Sequence, residues 1–159
     1  MNRQTAIYNS PLGKILLRAE GECLTGLFFA EEEKCSESHS EALETAKEWL
    51  DIYFSGKQPD FMPKLKLEGT DFQKRVWQLL TEIPYGETRS YSQLAEIIAK
   101  ERGLEKMSSR AVGTAAGKNP ILLMIPCHRL VGKNGQLTGF AAGVERKREL
   151  LKLEKILLP

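Results

Sequence analysis

The alternation of apolar and polar positions predicts a small antiparallel sheet at the start of the chain. Two apolar runs, residues 14–19 and 24–29, are separated by Glu20-Gly21-Glu22, which is a turn signal. A second turn signal, Asn9-Ser-Pro-Leu-Gly13, precedes them. Short apolar runs joined by such turns are typical of neighbouring antiparallel strands.

A helix and a linker are predicted after this sheet. From Glu41 to Phe54 the apolar residues recur at helical spacing, and Ser40 is a suitable N-cap. The following segment, residues 56–63, contains glycine and two prolines, which break regular structure. We interpret it as a linker.

The second part of the chain has a helical pattern. Two capping boxes, Thr70–Gln73 and Ser90–Gln93, each precede apolar residues at helical spacing. Ser108 or Ser109 can cap a short third helix, which a polar turn through residues 100–106 separates from the second. Two short helices joined by a turn indicate a helix-turn-helix.

Three further elements complete the pattern. Residues 121–131 predict an apolar strand that contains Cys127. Lys133-Asn-Gly135 is a hairpin-type turn, and residues 144–158 predict a final helix. The fold class is therefore α+β. A small N-terminal antiparallel sheet with a helix (residues 1–62) precedes a mainly helical domain with the helix-turn-helix and the cysteine (residues 63–159).

Composition and charge narrow the setting. The three cysteines of this 159-residue chain form no CxxC pair, which favours a reducing compartment, and we expect a cytoplasmic protein, or a nuclear one in a eukaryote. No apolar run reaches membrane-spanning length, so we expect no membrane partner. The net charge is only +2, but acidic residues predominate in residues 1–60 and basic ones in residues 61–159. Any polyanion site is expected in the basic part.

The strongest candidate for chemistry is Cys127, which lies between Pro126 and His128 in an apolar run. Such a thiol is either an inert core residue or a nucleophile. A neighbouring histidine and the cation of Arg129 favour the nucleophile, because both raise the thiolate fraction.

Glu154 is a candidate partner for His128. On the predicted final helix it shares a face with leucines at positions 150, 151, 157 and 158, where an unpaired carboxylate is costly to bury. One interpretation is a Cys–His–Glu relay. The other is that the helix frays at Glu154 and the carboxylate reaches water.

Other polar residues permit two interpretations each. Asn119 is part of a turn, or it supports the backbone around Cys127. Arg110 is a solvated charge, or it inserts into a nucleic-acid groove, and Tyr91 is by default a packing residue. Cys23, Cys35 and His39 lack a fourth nearby ligand, so we expect ordinary thiols and no metal site.

At this point the motifs identify a family. The chain resembles the O6-alkylguanine-DNA alkyltransferases, also called methylated-DNA–protein-cysteine methyltransferases. The resemblance is carried by these segments: Phe72-Gln-Lys-Arg-Val-Trp77, Ile83-Pro-Tyr-Gly-Glu-Thr-Arg-Ser-Tyr91, Arg110-Ala-Val-Gly113, Lys118-Asn-Pro120 and Ile125-Pro-Cys-His-Arg-Leu-Val-Gly-Lys-Asn-Gly135.

This resemblance implies a single-use repair protein that acts as a monomer without metal or cofactor. Its partner would be double-stranded DNA with an O6-alkylguanine, or possibly an O4-alkylthymine, bound through the minor groove with the damaged base flipped out. Cys127 would accept the alkyl group, His128 would deprotonate it through a water molecule, Glu154 would orient the histidine, and Asn119 would brace the turn.

The same resemblance implies residues for substrate and DNA. Arg110 would fill the space of the flipped base and Tyr91 would contact the flipped nucleotide, with Ala111 and Ser90 also at the DNA. The substrate pocket would comprise Leu130, Phe140, Ala141, Ala142 and, at its rim, Lys147. Relatives often carry glycine where this chain has Ala142, so we expect its methyl group to narrow the pocket.

Two other functions compete with repair. One is a non-catalytic sensor of alkylated DNA, which the presence of Cys127, His128 and Glu154 argues against. The other is an unrelated Cys–His hydrolase, which leaves Arg110 and the capped helix pair unexplained.

Overall fold

The structure is a computed structural model that describes residues 3–31 and 36–156. The chain divides into two compact units. The first comprises Met1–Glu68 and Pro120–Met124, and the second comprises Gly69–Asn119 and Ile125–Pro159.

Unit 1 is built on the predicted antiparallel sheet. Strands β1 (Arg3–Ser10), β2 (Gly13–Glu20) and β3 (Cys23–Phe29) pair in that order. Helix α1 (Glu41–Phe54) packs on the sheet and buries Trp49, Leu50 and Tyr53 among other residues. Ser40 caps α1, because its Oγ accepts a hydrogen bond from the Leu43 amide. The predicted sheet and helix are confirmed.

The outer edge of β3 is covered by two short stretches of backbone. The amide of Leu24 donates to Lys64 O and that of Lys66 donates to Leu24 O. In the same way the Leu27 amide donates to Pro120 O and the Leu122 amide donates to Leu27 O. These bonds satisfy backbone groups that an open edge would expose. They also explain why Pro120–Met124 belongs to unit 1, although the sequence pattern groups these residues with the second module.

The predicted strand at residues 121–131 is wrong except at its end, where Leu130–Val131 is a short strand. Before Cys127 only Ile121 forms a bridge, to Leu27. Leu123 has a φ of 72°, which ends any extended run, and the chain then turns twice. The Met124 amide donates to Leu122 O and the Cys127 amide donates to Ile125 O, which are three-residue turns. The apolar character of this segment reflects burial of a turn.

Unit 2 contains four α-helices in the described residues. They are α2 (Asp71–Thr81), α3 (Tyr91–Arg102), α4 (Ser109–Gly117) and α5 (Val144–Leu153). Both predicted capping boxes are present, and Ser108 rather than Ser109 caps α4. Helix α3 extends further than predicted because Gly103, at φ 66°, provides a left-handed C-cap. The turn before α4 is correspondingly shorter.

Helix α4 is the centre of unit 2. It packs against both α2 and α3, and the indole Nε1 of Trp77 donates to Ala115 O at 2.9 Å. The residues after Ile125 form a 3-10 turn, Cys127–Arg129, and then β5 (Leu130–Val131). Strand β5 pairs in parallel with β4 (Arg89–Ser90), which directly precedes α3. The pairing brings Cys127 to the helix pair.

Two predictions for the C-terminal part are corrected. Lys133–Gly135 is a 3-10 turn with Asn134 at φ 60°, and among the described residues no strands pair across it. Helix α5 ends at Leu153, because Glu154 is its C-cap and Lys155 has a φ of 63°. Leu157 and Leu158, which belong to the predicted apolar face of this helix, lie outside the described residues. Within the described ranges, none of the helices has the length and apolar character needed to cross a bilayer.

Candidate active site

An open cavity of about 850 Å³ in unit 2 contains the candidate nucleophile. Helices α3 and α4, the 3-10 turn, β5 and the loop before α5 all contribute to its wall. The lining residues are Tyr91, Ser109, Arg110, Gly113, Thr114, Ala116, Gly117, Cys127, Leu130, Thr138, Gly139, Phe140 and Ala141. The cavity therefore brings Cys127 together with several of the residues predicted for DNA and substrate.

Cys127 is buried, with 7% of its surface exposed. Burial raises the pKa of its thiol to about 11, although hydrogen bonding by Asn119 and the charge of Lys147 oppose this effect. The amide nitrogen of Asn119 also donates to Ile125 O at 2.6 Å. Asn119 is thus a support for the backbone next to Cys127, as the second of its two interpretations requires.

The carboxylate of Glu154 is buried and engages three partners. Its Oε2 lies 2.6 Å from His128 Nε2. Its Oε1 accepts from Arg129 Nε at 2.8 Å and from the Gly86 amide at 3.1 Å. Burial by itself would raise the pKa of Glu154, but His128 and Arg129 outweigh it and lower the pKa to about 2. The carboxylate does not reach water, even though the helix ends at this residue.

His128 is fully buried, and burial lowers its pKa although Glu154 acts in the opposite direction. A neutral imidazole facing an ionised carboxylate must carry its proton on Nε2, because a carboxylate only accepts. The lone pair is then on Nδ1, which is the arrangement that a general base needs.

Lys147 lies elsewhere than the resemblance implies. It is completely buried, and its Nζ donates to Leu130 O at 2.5 Å, so it is not at the cavity rim. Burial lowers the pKa of Lys147 to about 8, and the charge of Cys127 opposes that shift. The carbonyl of Leu130 is an acceptor in the β5 segment that also lines the cavity. Lys147 therefore stabilises the cavity wall through its hydrogen bond to the Leu130 carbonyl, from the buried side of β5.

Tyr91 is fixed between several groups. Its hydroxyl is 2.6 Å from Thr138 Oγ1. A Cβ on Gly113 would lie 3.3 Å from its ring, so α4 approaches the tyrosine closely. The Nζ of Lys147 is 6.0 Å from the ring centroid. The default interpretation of Tyr91 as a packing residue is incomplete, because the residue also lines the cavity.

The residues predicted for DNA lie at the start of α3 and α4. Arg110 is exposed and lines both the main cavity and a second groove of about 440 Å³. Ala111 lines this second groove but not the main cavity. Ser90 is the N-cap of α3, where its Oγ accepts from the Gln93 amide. In this structure Ser90 therefore acts as a helix cap.

The predicted substrate pocket is assembled in part. Leu130, Phe140 and Ala141 line the cavity together. Ala142 is half-buried and is not among the lining residues, so the effect of its methyl group on the width of the pocket stays a prediction. Ala141, the residue before it, lines the cavity instead.

Sequence reasoning missed the roles of Arg129 and Thr138. Arg129 is 8% exposed, and besides binding Glu154 it donates from Nη1 to Ile83 O at 2.8 Å. A signal was available, because an arginine in an apolar run needs a buried acceptor. No local pattern distinguishes Thr138 from an ordinary loop threonine.

No metal centre is evident in the described ranges, since no group of three potential His, Cys, Asp or Glu ligands forms there. Cys23 is a free, half-buried thiol. Cys35, the other cysteine considered for a metal site, lies outside the described residues.

Comparison with known proteins matches both parts of the chain. Residues 71–156 match the family model for the 6-O-methylguanine DNA methyltransferase DNA binding domain, and residues 5–67 match that for the ribonuclease-like domain of the same proteins. A methylated-DNA–protein-cysteine methyltransferase of Methanosarcina acetivorans is 44% identical, covering 94% of this chain and 96% of the relative.

Solved structures agree. The crystal structure of the Mycobacterium tuberculosis O6-methylguanine methyltransferase superimposes with a TM-score of 0.82 at 41% identity, covering 97% of this chain and 93% of that one. A second structure of the M. tuberculosis protein, in complex with DNA, gives 0.81 at 41% identity, with 98% and 93% covered. Since both domain models and full-length relatives match, the chain belongs to the methylated-DNA–protein-cysteine methyltransferase family.

Proposed function

We propose that this protein repairs DNA by transferring the alkyl group of O6-alkylguanine irreversibly to Cys127, once per molecule. The observation that carries the proposal is the shared cavity, which Cys127 lines together with Arg110 and Tyr91. Its relatives are named for this transfer, and a relative has been solved with DNA. Activity on O4-alkylthymine belongs to the same proposal.

The proposed chemistry is an in-line displacement. The sulfur of Cys127 forms a bond to the alkyl carbon while the bond from that carbon to O6 breaks, and its electrons remain on guanine. The thiol proton passes to His128 and is returned through water to a ring nitrogen of guanine as it leaves, so charge and atoms balance. The thioether is stable, which explains why one molecule acts once.

The state of the thiol makes the base necessary. With a pKa of about 11, roughly one thiol in ten thousand is ionised near neutral pH. Proton removal must therefore accompany attack. His128, with its Nε2 proton directed to Glu154, would accept the thiol proton on Nδ1 through a water molecule. Asn119 would hold the turn, and Tyr91 would contact the flipped nucleotide.

DNA binding is proposed for the surface around α3 and α4. Arg110 is exposed beside the cavity and has the length to enter the base stack as the damaged nucleotide rotates out. We propose the minor groove as the site, with Ala111 and Ser90 near the backbone, and a monomer as the active form. A free acceptor thiol also suits a reducing compartment such as the cytoplasm.

One experiment tests the proposal. The protein is incubated with a duplex that contains O6-methylguanine, and its intact mass is measured. The expected result is a gain of one CH₂ on Cys127, with no more than one equivalent of lesion consumed. Cys127→Ala is the matched control and should bind the duplex without a mass change. Binding by the wild-type protein without any mass gain would favour the sensor and overturn transfer.

A further inference from the structure

A hydrogen bond joins α3 to the loop that follows Val131. Tyr91 Oη and Thr138 Oγ1 are 2.6 Å apart, and both residues line the cavity that contains Cys127. The same loop supplies Phe140 and Ala141 to the wall. The bond therefore ties this part of the wall to the helix that carries Tyr91.

Thr138 is held in place on its other side. A Cβ on Gly132 would lie 3.0 Å from Thr138 Cγ2, so the threonine methyl packs on a backbone that has no side chain. The Gly132 amide donates to Gln136 O at 2.8 Å, which fixes that backbone. A β-branched side chain whose methyl is packed has little rotamer freedom. The hydroxyl of Thr138 consequently has a defined position.

Tyr91 is equally restricted. Gly113 permits α4 to approach its ring, where an added Cβ would come within 3.3 Å. The buried ammonium of Lys147 lies 6.0 Å from the ring centroid. With the ring placed by these contacts, the bond to Thr138 sets the spacing between the hydroxyl end of Tyr91 and the loop.

We propose that Thr138 is a specificity-determining positioning residue, which favours small O6 substituents by holding the loop with Phe140 and Ala141 against Tyr91. This inference rests on the proposed transfer to Cys127. On this proposal a large substituent is accommodated only when the loop or the tyrosine moves, and either movement breaks the 2.6 Å bond. A methyl group does not impose that cost.

The test compares two substrates in one duplex sequence, O6-methylguanine and O6-benzylguanine. Thr138→Val keeps the shape and removes the hydroxyl, whereas Thr138→Ser keeps the hydroxyl. Single-turnover rates give the benzyl-to-methyl ratio for each protein. We expect Val to raise the ratio about fivefold, the size of one net hydrogen bond, and Ser to leave it within about twofold.

A second comparison distinguishes the effect of losing the Tyr91–Thr138 hydrogen bond from a general loss of order in the loop. Tyr91→Phe removes the other hydroxyl, so Thr138→Val in that background should change the ratio no further. The same change in both backgrounds, or an unchanged ratio in Thr138→Val alone, would overturn the role of Thr138. If the valine variant does not fold, Thr138→Ala against Thr138→Ser makes the same comparison.

Failure of this inference is distinct from failure of the proposed function. Wild-type protein that gains no mass from O6-methylguanine contradicts transfer itself. Wild-type protein that reacts, with a ratio that is insensitive to Thr138, contradicts only the positioning role.

Discussion

Arg129 Nε donates to Glu154 Oε1 at 2.8 Å, whereas His128 bonds to the other carboxylate oxygen, Oε2. His128 and Arg129 are consecutive in one 3-10 turn that begins with Cys127. The turn therefore presents a candidate nucleophile, a base and a cation in succession, and both of the latter bind one carboxylate. The orientation of His128 depends on a carboxylate that His128 and Arg129 together keep ionised.

Replacing Arg129 should change the pH dependence of transfer. Without its guanidinium the pKa of Glu154 rises, so the carboxylate becomes protonated and stops orienting His128 at a higher pH. We expect Arg129→Lys, which keeps a positive charge, to retain transfer with nearly the wild-type pH–rate profile, and Arg129→Gln to displace the acid limb of its single-turnover profile to higher pH. Arg129→Gln should be far less stable, since breaking a buried pair costs about 3–5 kcal/mol. A glutamine variant that folds and keeps the wild-type profile would argue against this coupling.

Glu154 should make the protein sensitive to acid. Its pKa is about 2 in the folded protein and roughly 4.3 unfolded, so the unfolded chain binds more protons between these values. The stabilisation is present above the unfolded pKa and is lost as pH falls through about 2. The full difference is on the order of 3 kcal/mol.

This acid sensitivity can be measured by denaturant unfolding across that window. Glu154→Gln should lose less stability than the wild type on acidification, although it starts from a lower value. It should also slow transfer while the fold is retained. Glu149→Gln, on the exposed part of α5, is the control and should follow the wild type. Parallel curves for Glu154→Gln and wild type would be incompatible with the low pKa.

The Cys127 thiol should react slowly with a simple alkylating agent in the absence of DNA. Because burial raises its pKa to about 11, its iodoacetamide rate should increase about tenfold per pH unit through the mildly alkaline range. Peptide mass analysis measures the rate, and the Cys127→Ala variant reports the remaining cysteines alone. A plateau below about pH 9 would mean that the free protein already holds a stable thiolate.

Arg110 should affect the rate of repair in duplex DNA and leave the rate of reaction with a free base almost unchanged. If its side chain occupies the space of the flipped nucleotide, Arg110→Ala should slow repair of a duplex about tenfold or more, since unstacking costs a few kcal/mol. Reaction with free O6-benzylguanine should change less than about twofold. Lys100→Ala removes one exposed charge from α3 and controls for general electrostatics. Equal losses on both substrates would exclude a role in base flipping.

Local sequence signals predict the helices and strands of this fold better than they predict the tertiary contacts around them. The capping boxes at Thr70 and Ser90 depend on residues three apart, and both are present. The apolar run that contains Cys127 by itself predicts a strand. Its shape instead depends on the positive φ of Leu123 and on hydrogen bonds to β3, which are tertiary features.

The candidate site shows the same division. Pairing of Glu154 with His128 could be inferred from an apolar helix face with a single available histidine. The end of α5 could not be inferred, because Glu154 both caps the helix and directs its buried carboxylate to three hydrogen-bond partners. The burial of Lys147 was missed for a similar reason, since its acceptor, Leu130 O, is a backbone group that sequence does not reveal.

Lys147 should oppose Cys127 in the alkaline pH dependence of stability. Its pKa is about 8 folded and roughly 10.4 unfolded, so the unfolded chain binds more protons in this window and stability rises with pH. The thiol has a raised pKa, so its contribution is present below the unfolded value of roughly 8.5 and is lost towards about 11.

Because these two effects cancel in part, Lys147 is best measured in a Cys127→Ala background. There the free energy of unfolding should rise by up to about 3 kcal/mol between neutral pH and about pH 10. Adding Lys147→Met should remove that rise, whereas Lys147→Arg, which stays charged throughout, serves as the control for the loss of titration with the charge retained. A rise that persists in the methionine variant would have to come from another group, and the buried ammonium behind Leu130 would then have an ordinary pKa.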